Sequence, residues 1–300
     1  MPLKKLLIYK TTSLINTKGL TKIKPFFGIN AYFCFMGKHL FYLFLFFSTV
    51  SFGQKEAIQA TFISKTALTA DVFIGLDDLD NIYYLKNNVL FKKNEQVILN
   101  YSNPLLGELS SVNIQNPFKI VLFYKNFNSV IILDNKLNAL SNVIDFTKET
   151  LFNNVQFVSL SSENNLWLFA DDNKLHLYNY QTLSQSFQTQ AITFYNATFK
   201  PNSLKSTYKN VWVLSKNSAV QFNEYGSFIE SFHFKDASII FPYQKGFIYI
   251  ADSSFYYQFE NEIIPILMEI KKPLTHIFVH KSSIYTFDGK YIYQYDLFIK

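Results

Sequence analysis

The sequence predicts an all-β chain closed into a single β-propeller of six four-stranded blades. A strand–turn–strand unit recurs six times, and no segment after residue 53 keeps a helical periodicity. In each unit a polar turn leads into a short apolar strand, a second polar turn follows, and a second strand ends in an aromatic or aliphatic pair. The units are Asn81–Phe91, Lys119–Leu133, Asn165–Tyr178, Asn210–Phe222, Gly246–Phe259 and Ser283–Tyr295. With Tyr83, Val121, Trp167, Trp212, Tyr249 and Tyr285 taken as equivalent, the spacings are 38, 46, 45, 37 and 36 residues. A period of about 40 residues with several strands per unit is the signature of propeller blades.

Each element has a local reason. The strands are rich in Ile, Val, Phe and Tyr, which suit a pleated, buried surface. Runs such as Val97–Asn100 and Phe228–Phe232 supply further strands for each unit. With 9 glycines and 8 prolines in 300 residues, the turns rely on Asn, Asp and Ser instead. Asn87-Asn88, Asn153-Asn154 and Asn164-Asn165 suit tight hairpins because asparagine tolerates left-handed backbone. The last unit ends without an outer strand. Ala57–Ile63, just ahead of the first full unit, is expected to pair there and remove the exposed edge of an open ring. A seventh blade in the interval Phe187–Lys209 is the alternative count, and a pair of β-sandwiches the alternative architecture.

The formal charge of +6 points at first to a nucleic-acid or membrane-surface binder. Its distribution removes that reading. All 28 basic residues are lysines; seven fall within residues 1–53, where no acid occurs, which leaves 21 lysines against 22 acids in residues 54–300. Arginine, the residue best suited to bidentate phosphate and base-edge contacts, is absent. No nucleic-acid partner is expected.

The basic segment has the layout of an export signal. After Met36 come Lys38, an apolar stretch from Leu40 to Phe47, and Ser51-Phe52-Gly53, with small residues at the −3 and −1 positions of a cut before Gln54. The apolar stretch is too short for a membrane span, which needs roughly 20 residues. The expected organisation is therefore residues 1–35 as an extension assigned in error upstream of the true start, 36–53 as signal peptide and 54–300 as propeller, with no integral span in the mature chain. Cys34, the single cysteine, lies upstream of the cut, so the mature chain has no disulfide and no thiolate ligand.

Two of the units carry a likeness to known blades. Asn164-Asn165-Leu166-Trp167-Leu168-Phe169-Ala170 with Leu175-His176-Leu177-Tyr178-Asn179, and Lys209-Asn210-Val211-Trp212-Val213-Leu214 with Val220-Gln221-Phe222-Asn223, place a Trp strand after a turn and a second strand before an Asn. Over residues 77–300 the chain thereby resembles the broad propeller superfamily of periplasmic sensor, quinoprotein-like and lactonase-like repeats, without a narrower subfamily. The sensor likeness implies a periplasmic sensing module that works with a separate membrane partner.

Candidate sites are few. His276 and His280 lie four residues apart on one expected strand, and imidazole is a common metal ligand. No carboxylate accompanies them at ligating spacing. Asp77, Asp78 and Asp80 offer several oxygens to a cation, and Asp171-Asp172-Asn173 is a smaller version. Calcium loops also need interleaved glycine and a further bidentate carboxylate, whereas Asp and Asn favour turns for backbone reasons alone. His176 and His233 occur singly, without a partner legible in the sequence. Tyr256, Tyr257, Tyr293 and Tyr295 are read as filling between blades, the other role of such rings being to stack on sugars or grip peptides.

No nucleophile elbow, phosphate loop or His-Glu-x-x-His motif occurs, and no catalytic residue, metal or cofactor is assigned. The expected function is a non-enzymatic binding or scaffold module, periplasmic or secreted and monomeric, with a protein or glycan partner that the sequence does not identify. A hydrolase or lyase acting on a carbohydrate or lactone, with carboxylates from different blades such as Asp77, Asp252 and Asp288, is the alternative. N-terminal sequencing of the exported protein is expected to find Gln54 first; a mature chain beginning well before it refutes the cut.

Overall fold

The computed structural model describes residues 57–149, 154–269 and 276–298. The expected extension and signal segment lie outside the described residues, and the ring falls within the compact unit Lys55–Lys300. The first strand, β1 (Ile58–Ala67), is set apart for the end of the ring. Blade 1 follows as β2 (Val72–Leu76), β3 (Ile82–Lys86), β4 (Val89–Lys93) and β5 (Ile98–Tyr101). Blade 2 holds β6 (Ser111–Asn116), β7 (Lys119–Tyr124), β8 (Ser129–Leu133) and β9 (Ile144–Asp145), and is followed by a helical turn, α1 (Phe146–Glu149). Blade 3 holds β10 (Val155–Leu160), β11 (Asn165–Ala170), β12 (Leu175–Asn179) and β13 (Ser184–Gln188), with α2 (Ile192–Tyr195) after it. Blade 4 comprises β14 (Pro201–Ser206), β15 (Asn210–Ser215), β16 (Ser218–Asn223) and β17 (Phe228–His233). Blade 5 comprises β18 (Ala237–Tyr243), β19 (Gly246–Ala251), β20 (Ser254–Phe259) and β21 (Glu262–Leu267). Blade 6 has β22 (His276–His280), β23 (Ser283–Phe287) and β24 (Tyr291–Leu297), and takes β1 as its fourth strand.

Blades 1 to 5 are antiparallel meanders, and blade 6 is an antiparallel sheet completed by β1. The first strands sit nearest one another: β2 beside β22 and β6, and β10 beside β6 and β14. They therefore line a common axis. The six repeated units of the sequence are the second and third strands of the six blades. The interval Phe187–Lys209 holds α2 and the inner strand β14, so the count is six rather than seven, and the sheets stand around an axis rather than stacking as sandwiches.

The second strands are apolar without alternation because both of their faces are buried. On β11, Leu166, Leu168 and Ala170 pack towards blade 2, whereas Trp167 and Phe169 pack towards blade 4. On β7, Ile120, Leu122 and Tyr124 face blade 1, whereas Val121 and Phe123 face blade 3. β15 and β19 divide their residues between neighbours in the same way. The core is thus six clusters, one between each pair of adjacent blades. Burying one Val, Leu, Ile or Phe contributes about 1.5–3 kcal/mol, so each interface holds its blade firmly.

Ring closure uses the expected clasp, extended to Ala67. β1 runs antiparallel to β24 from Ala60 opposite Leu297 to Ala67 opposite Tyr291, with a bulge between Phe62 and Ser64. Its first two residues, Ile58 and Gln59, also pair in parallel with Ile266 and Leu267 of β21. One strand therefore ties the outer edges of blades 5 and 6 together. Near the axis, Gly75 has φ +149° at a bulge of β2, and a Cβ there would stand 2.5 Å from the Phe278 ring. Only glycine lets blade 6 approach blade 1 so closely. No helix among the described residues is long and apolar enough to cross a membrane.

A chain lacking residues 1–67 would leave the β24 edge unpaired and strip Ile58 from its cluster. The expected loss of about 3–5 kcal/mol lowers Tm by roughly 10 °C or more, with concentration-dependent association through the bare edge. Calorimetry and light scattering measure both, and an unchanged Tm would refute the clasp.

Candidate functional site

Because each blade starts at the axis, the ends of the inner strands converge at the end of the ring where first and second strands are joined. Residues of β2, β6, β14 and β22, with the turns that follow β2 and β14, line a recess of about 380 Å³ there. Its wall is drawn from blades 1, 2, 4 and 6. Ile74, Val112, Ile114 and Phe278 are its apolar part, and Asn113, Gln115, Lys205, Tyr208 and His280 its polar part.

A hydrogen-bonded chain fixes one side. Asn113 Nδ2 donates to Ser159 Oγ at 2.8 Å, and Ser159 Oγ lies 2.7 Å from Ser206 Oγ. The Gln115 amide has its nitrogen towards Ser206 Oγ at 2.9 Å and its oxygen towards the Tyr208 N–H at 3.3 Å, the orientation in which both atoms meet complementary partners. Ser206 Oγ donates to the Leu160 carbonyl. Its single proton is thereby used, so Ser159 is the donor in the serine pair. Blades 2, 3 and 4 are locked together by side chains short enough to fit near the axis.

The acidic cluster is divided between two tasks. Asp77 is fully buried and anchors the turn after β2. Its Oδ1 accepts from the Leu79 N–H at 3.0 Å, the Asn81 N–H at 2.9 Å and Asn81 Nδ2 at 3.0 Å, and its Oδ2 accepts from Tyr83 Oη at 2.9 Å. Lys92 Nζ stands 3.7 Å away. Burial, followed by the Asp77 charge, pushes the Tyr83 phenol far above its ordinary range. Asp78 and Asp80 instead meet blade 6, roughly 200 residues away in the chain. Asp78 Oδ1 lies 3.7 Å from His280 Nε2, and Lys281 Nζ binds Asp80 Oδ1 at 2.8 Å. These contacts seal the seam where the ring closes.

His280 also stacks on Phe278, with centroids 6.0 Å apart. Burial lowers its pKa, and the nearby aspartates oppose that shift. His276 has its pKa lowered by burial and lies against Phe287. Four residues along a strand separate the two histidines by roughly 13 Å, too far to share one ion. Among the described residues no group of three or more His, Cys, Asp or Glu gathers as a metal site.

Elsewhere the expected residues are dispersed. His176, for which the sequence shows no partner, is buried with Nε2 3.0 Å from Asp172 Oδ1, a pairing across a hairpin turn that spacing alone does not reveal. His233 is exposed on β17. Asp252 and Asp288 occupy turns between second and third strands, at the opposite end of the ring from Asp77. Asp288 caps its turn, accepting from the Lys290 and Tyr291 N–H groups at 2.9 and 2.8 Å and from Tyr293 Oη at 3.0 Å. Tyr256 stacks on Tyr249, Tyr257 meets Tyr243 edge-on, and Tyr295 meets Phe62 of β1.

Sequence reasoning missed Lys205. It lines the recess, where its side chain is exposed. It lies in the unremarkable run PNSLKS of β14, where only its inward placement sets it apart.

No protein-family model matches the sequence, and no curated protein matches it. Among solved structures the chain is similar to virginiamycin B lyase from Staphylococcus aureus, with a TM-score of 0.52 and 14% identity over 74% of this chain and 79% of that chain. It is also similar to BBS1N in complex with ARL6DN, with a TM-score of 0.51 and 12% identity over 75% and 78% of the two chains. The chain has the β-propeller fold. Identity this low carries the fold alone, with nothing of ligand, reaction or partner.

The division of the acidic cluster has a measurable consequence. Replacing Asp77 by Asn strands buried donors around the turn and is expected to cost about 2–4 kcal/mol in urea unfolding. Asp78→Asn, at the solvated seam, should cost about 0.5 kcal/mol or less. Equal losses would mean that Asp77 is not the turn's anchor.

Proposed function

We propose that this chain is an exported, non-enzymatic propeller, periplasmic or secreted, that acts as a binding or scaffold module and takes its ligand at the central recess. The observation that carries this reading is the recess itself, walled by four blades at one end of the ring. Pockets of this size with a few convergent polar groups are the usual form of a ligand site. A non-enzymatic role is supported by the carboxylates. Asp77 and Asp288 are engaged by turn donors, and Asp77 stands at the other end of the ring from Asp252 and Asp288. Export is supported by the layout of residues 36–53, and the near-balanced charge of residues 54–300 favours a protein or glycan partner over nucleic acid.

Tyr208, 50% exposed at the mouth of the recess, and Phe127, 50% exposed at the other end of the ring, allow a paired test. A photo-crosslinking residue at position 208 is expected to capture a discrete partner in the exported fraction, and the same residue at position 127 to capture none. Equal capture at both positions, or none at 208, defeats the reading.

A further inference from the structure

The two ends of the ring differ in what their turns expose. At the end that holds the recess, three of the six turns joining first to second strands carry a large apolar residue in the open. Leu79 of blade 1 and Phe118 of blade 2 are each 57% exposed, and Tyr208 of blade 4 is 50% exposed. At the opposite end the six turns joining second to third strands are made of Asn, Asp, Lys, Ser and Gly, with Phe127 the one large apolar residue among them. Single apolar side chains scattered on a surface are ordinary, whereas a group of them around the mouth of an apolar recess marks a contact site. Leu79 and Tyr208 stand on blades 1 and 4, which face each other across a six-blade ring. The apolar rim therefore spans the mouth.

Charge divides the same mouth into two arcs. The acids belong to blades 1 and 3, with Asp78, Asp80 and Glu163 on their turns. The lysines beside them are committed to the seams between blades: Lys281 binds Asp80 Oδ1 at 2.8 Å, and Lys119 donates to the Glu163 carbonyl at 2.6 Å and to Asn164 Oδ1 at 3.0 Å. Blades 4 and 5 present lysines only. Lys205 near the end of β14, Lys209 on the turn after it and Lys245 on the turn after β18 are all exposed, and none forms an ion pair with a described residue. Glu224 and Glu260 lie on the outer turns of the same blades. They stand two strand spacings, about 10 Å, further from the axis, which is about one Debye length. The basic arc is therefore felt at the mouth.

We propose that this end of the ring docks an acidic peptide segment of a partner protein, which places an apolar side chain in the recess and its flanking carboxylates on Lys205, Lys209 and Lys245. This rests on the recess being the ligand site of the ring. The apolar wall of Ile74, Ile114 and Phe278 receives the anchor, and Leu79 and Tyr208 cover its flanks. A glycan has few apolar faces to set on so broad a rim, whereas a short acidic segment supplies apolar and anionic groups at successive residues. Nucleic acid matches the basic arc but has no side chain for an apolar recess, and its phosphates would meet Asp78 and Glu163 at the same mouth. Exposed ion pairs of this kind speed and orient encounter and weaken as salt rises.

Selection of random peptides displayed on phage against the full chain tests this without assuming a partner. Enriched sequences are expected to set Phe, Leu or Trp beside two or more Asp or Glu. A synthetic peptide of that kind should bind several-fold more weakly in high salt than in low salt, as read by fluorescence anisotropy. Replacing Lys209 and Lys245 together by Glu should weaken it about tenfold, since two exposed attractions become repulsions, whereas Lys125→Glu with Lys216→Glu at the opposite end should leave it unchanged. All four side chains are exposed on turns, so Tm should hold in both variants. Failure to enrich any sequence, enrichment of basic sequences, equal loss in the two double variants, or displacement of the peptide by random single-stranded DNA overturns the proposal. Uncharged peptides whose binding falls with Tyr208→Ser overturn it while leaving the recess as the ligand site. Peptides indifferent to Tyr208→Ser and to both lysine pairs defeat both readings.

Discussion

A sheet that is apolar on both faces needs two neighbours, and this requirement governs the whole molecule. The second strands place successive residues on opposite faces, each face belonging to a different interblade cluster. A row of such sheets would end in two bare apolar faces; a ring has none. Closure is therefore the condition under which every other burial is complete. It is made three times over: by the β1 ladder on β24 and β21, by Phe278 over Gly75 near the axis, and by the Asp78–His280 and Asp80–Lys281 contacts at the seam.

The same closure sets what the inner strands can be. Two of the strands that meet around the axis, β6 with SVNIQN and β14 with PNSLKS, are mostly polar. Short polar side chains bring an obligation to be paired, which the Asn113–Ser159–Ser206–Gln115 chain meets across three blades. The recess follows from this arrangement. Where the inner strands end and their turns spread, the side chains of four blades leave a recess of about 380 Å³ between them.

This geometry also explains what was legible in the sequence. Strands buried on both faces leave an apolar signature strong enough to give six repeats, their period and the closing strand. Turn chemistry was readable at Asp77, which anchors a turn as expected of Asp in such a run, whereas Asp288, read only as a candidate catalytic carboxylate, also caps one. The inner strands alternate small, polar and apolar residues without a repeat, so they carry no recurrent pattern, and Lys205 is one of 28 lysines with nothing local to mark it. The pairings of His176 with Asp172 and of Asp78 with His280 were hidden for another reason. They are made by hairpin geometry and by ring closure, neither of which leaves a spacing in the chain.

Local preference, burial and pairing agree at nearly every position that holds the ring together, as expected of a sequence with one dominant structure. Lys92 shows that the fold supplies partners to an enclosed amine where the amine is structural. Its amine, buried beside Asp77 in blade 1, donates to the Asn135 carbonyl of blade 2, so a single lysine satisfies its own burial and ties two blades together.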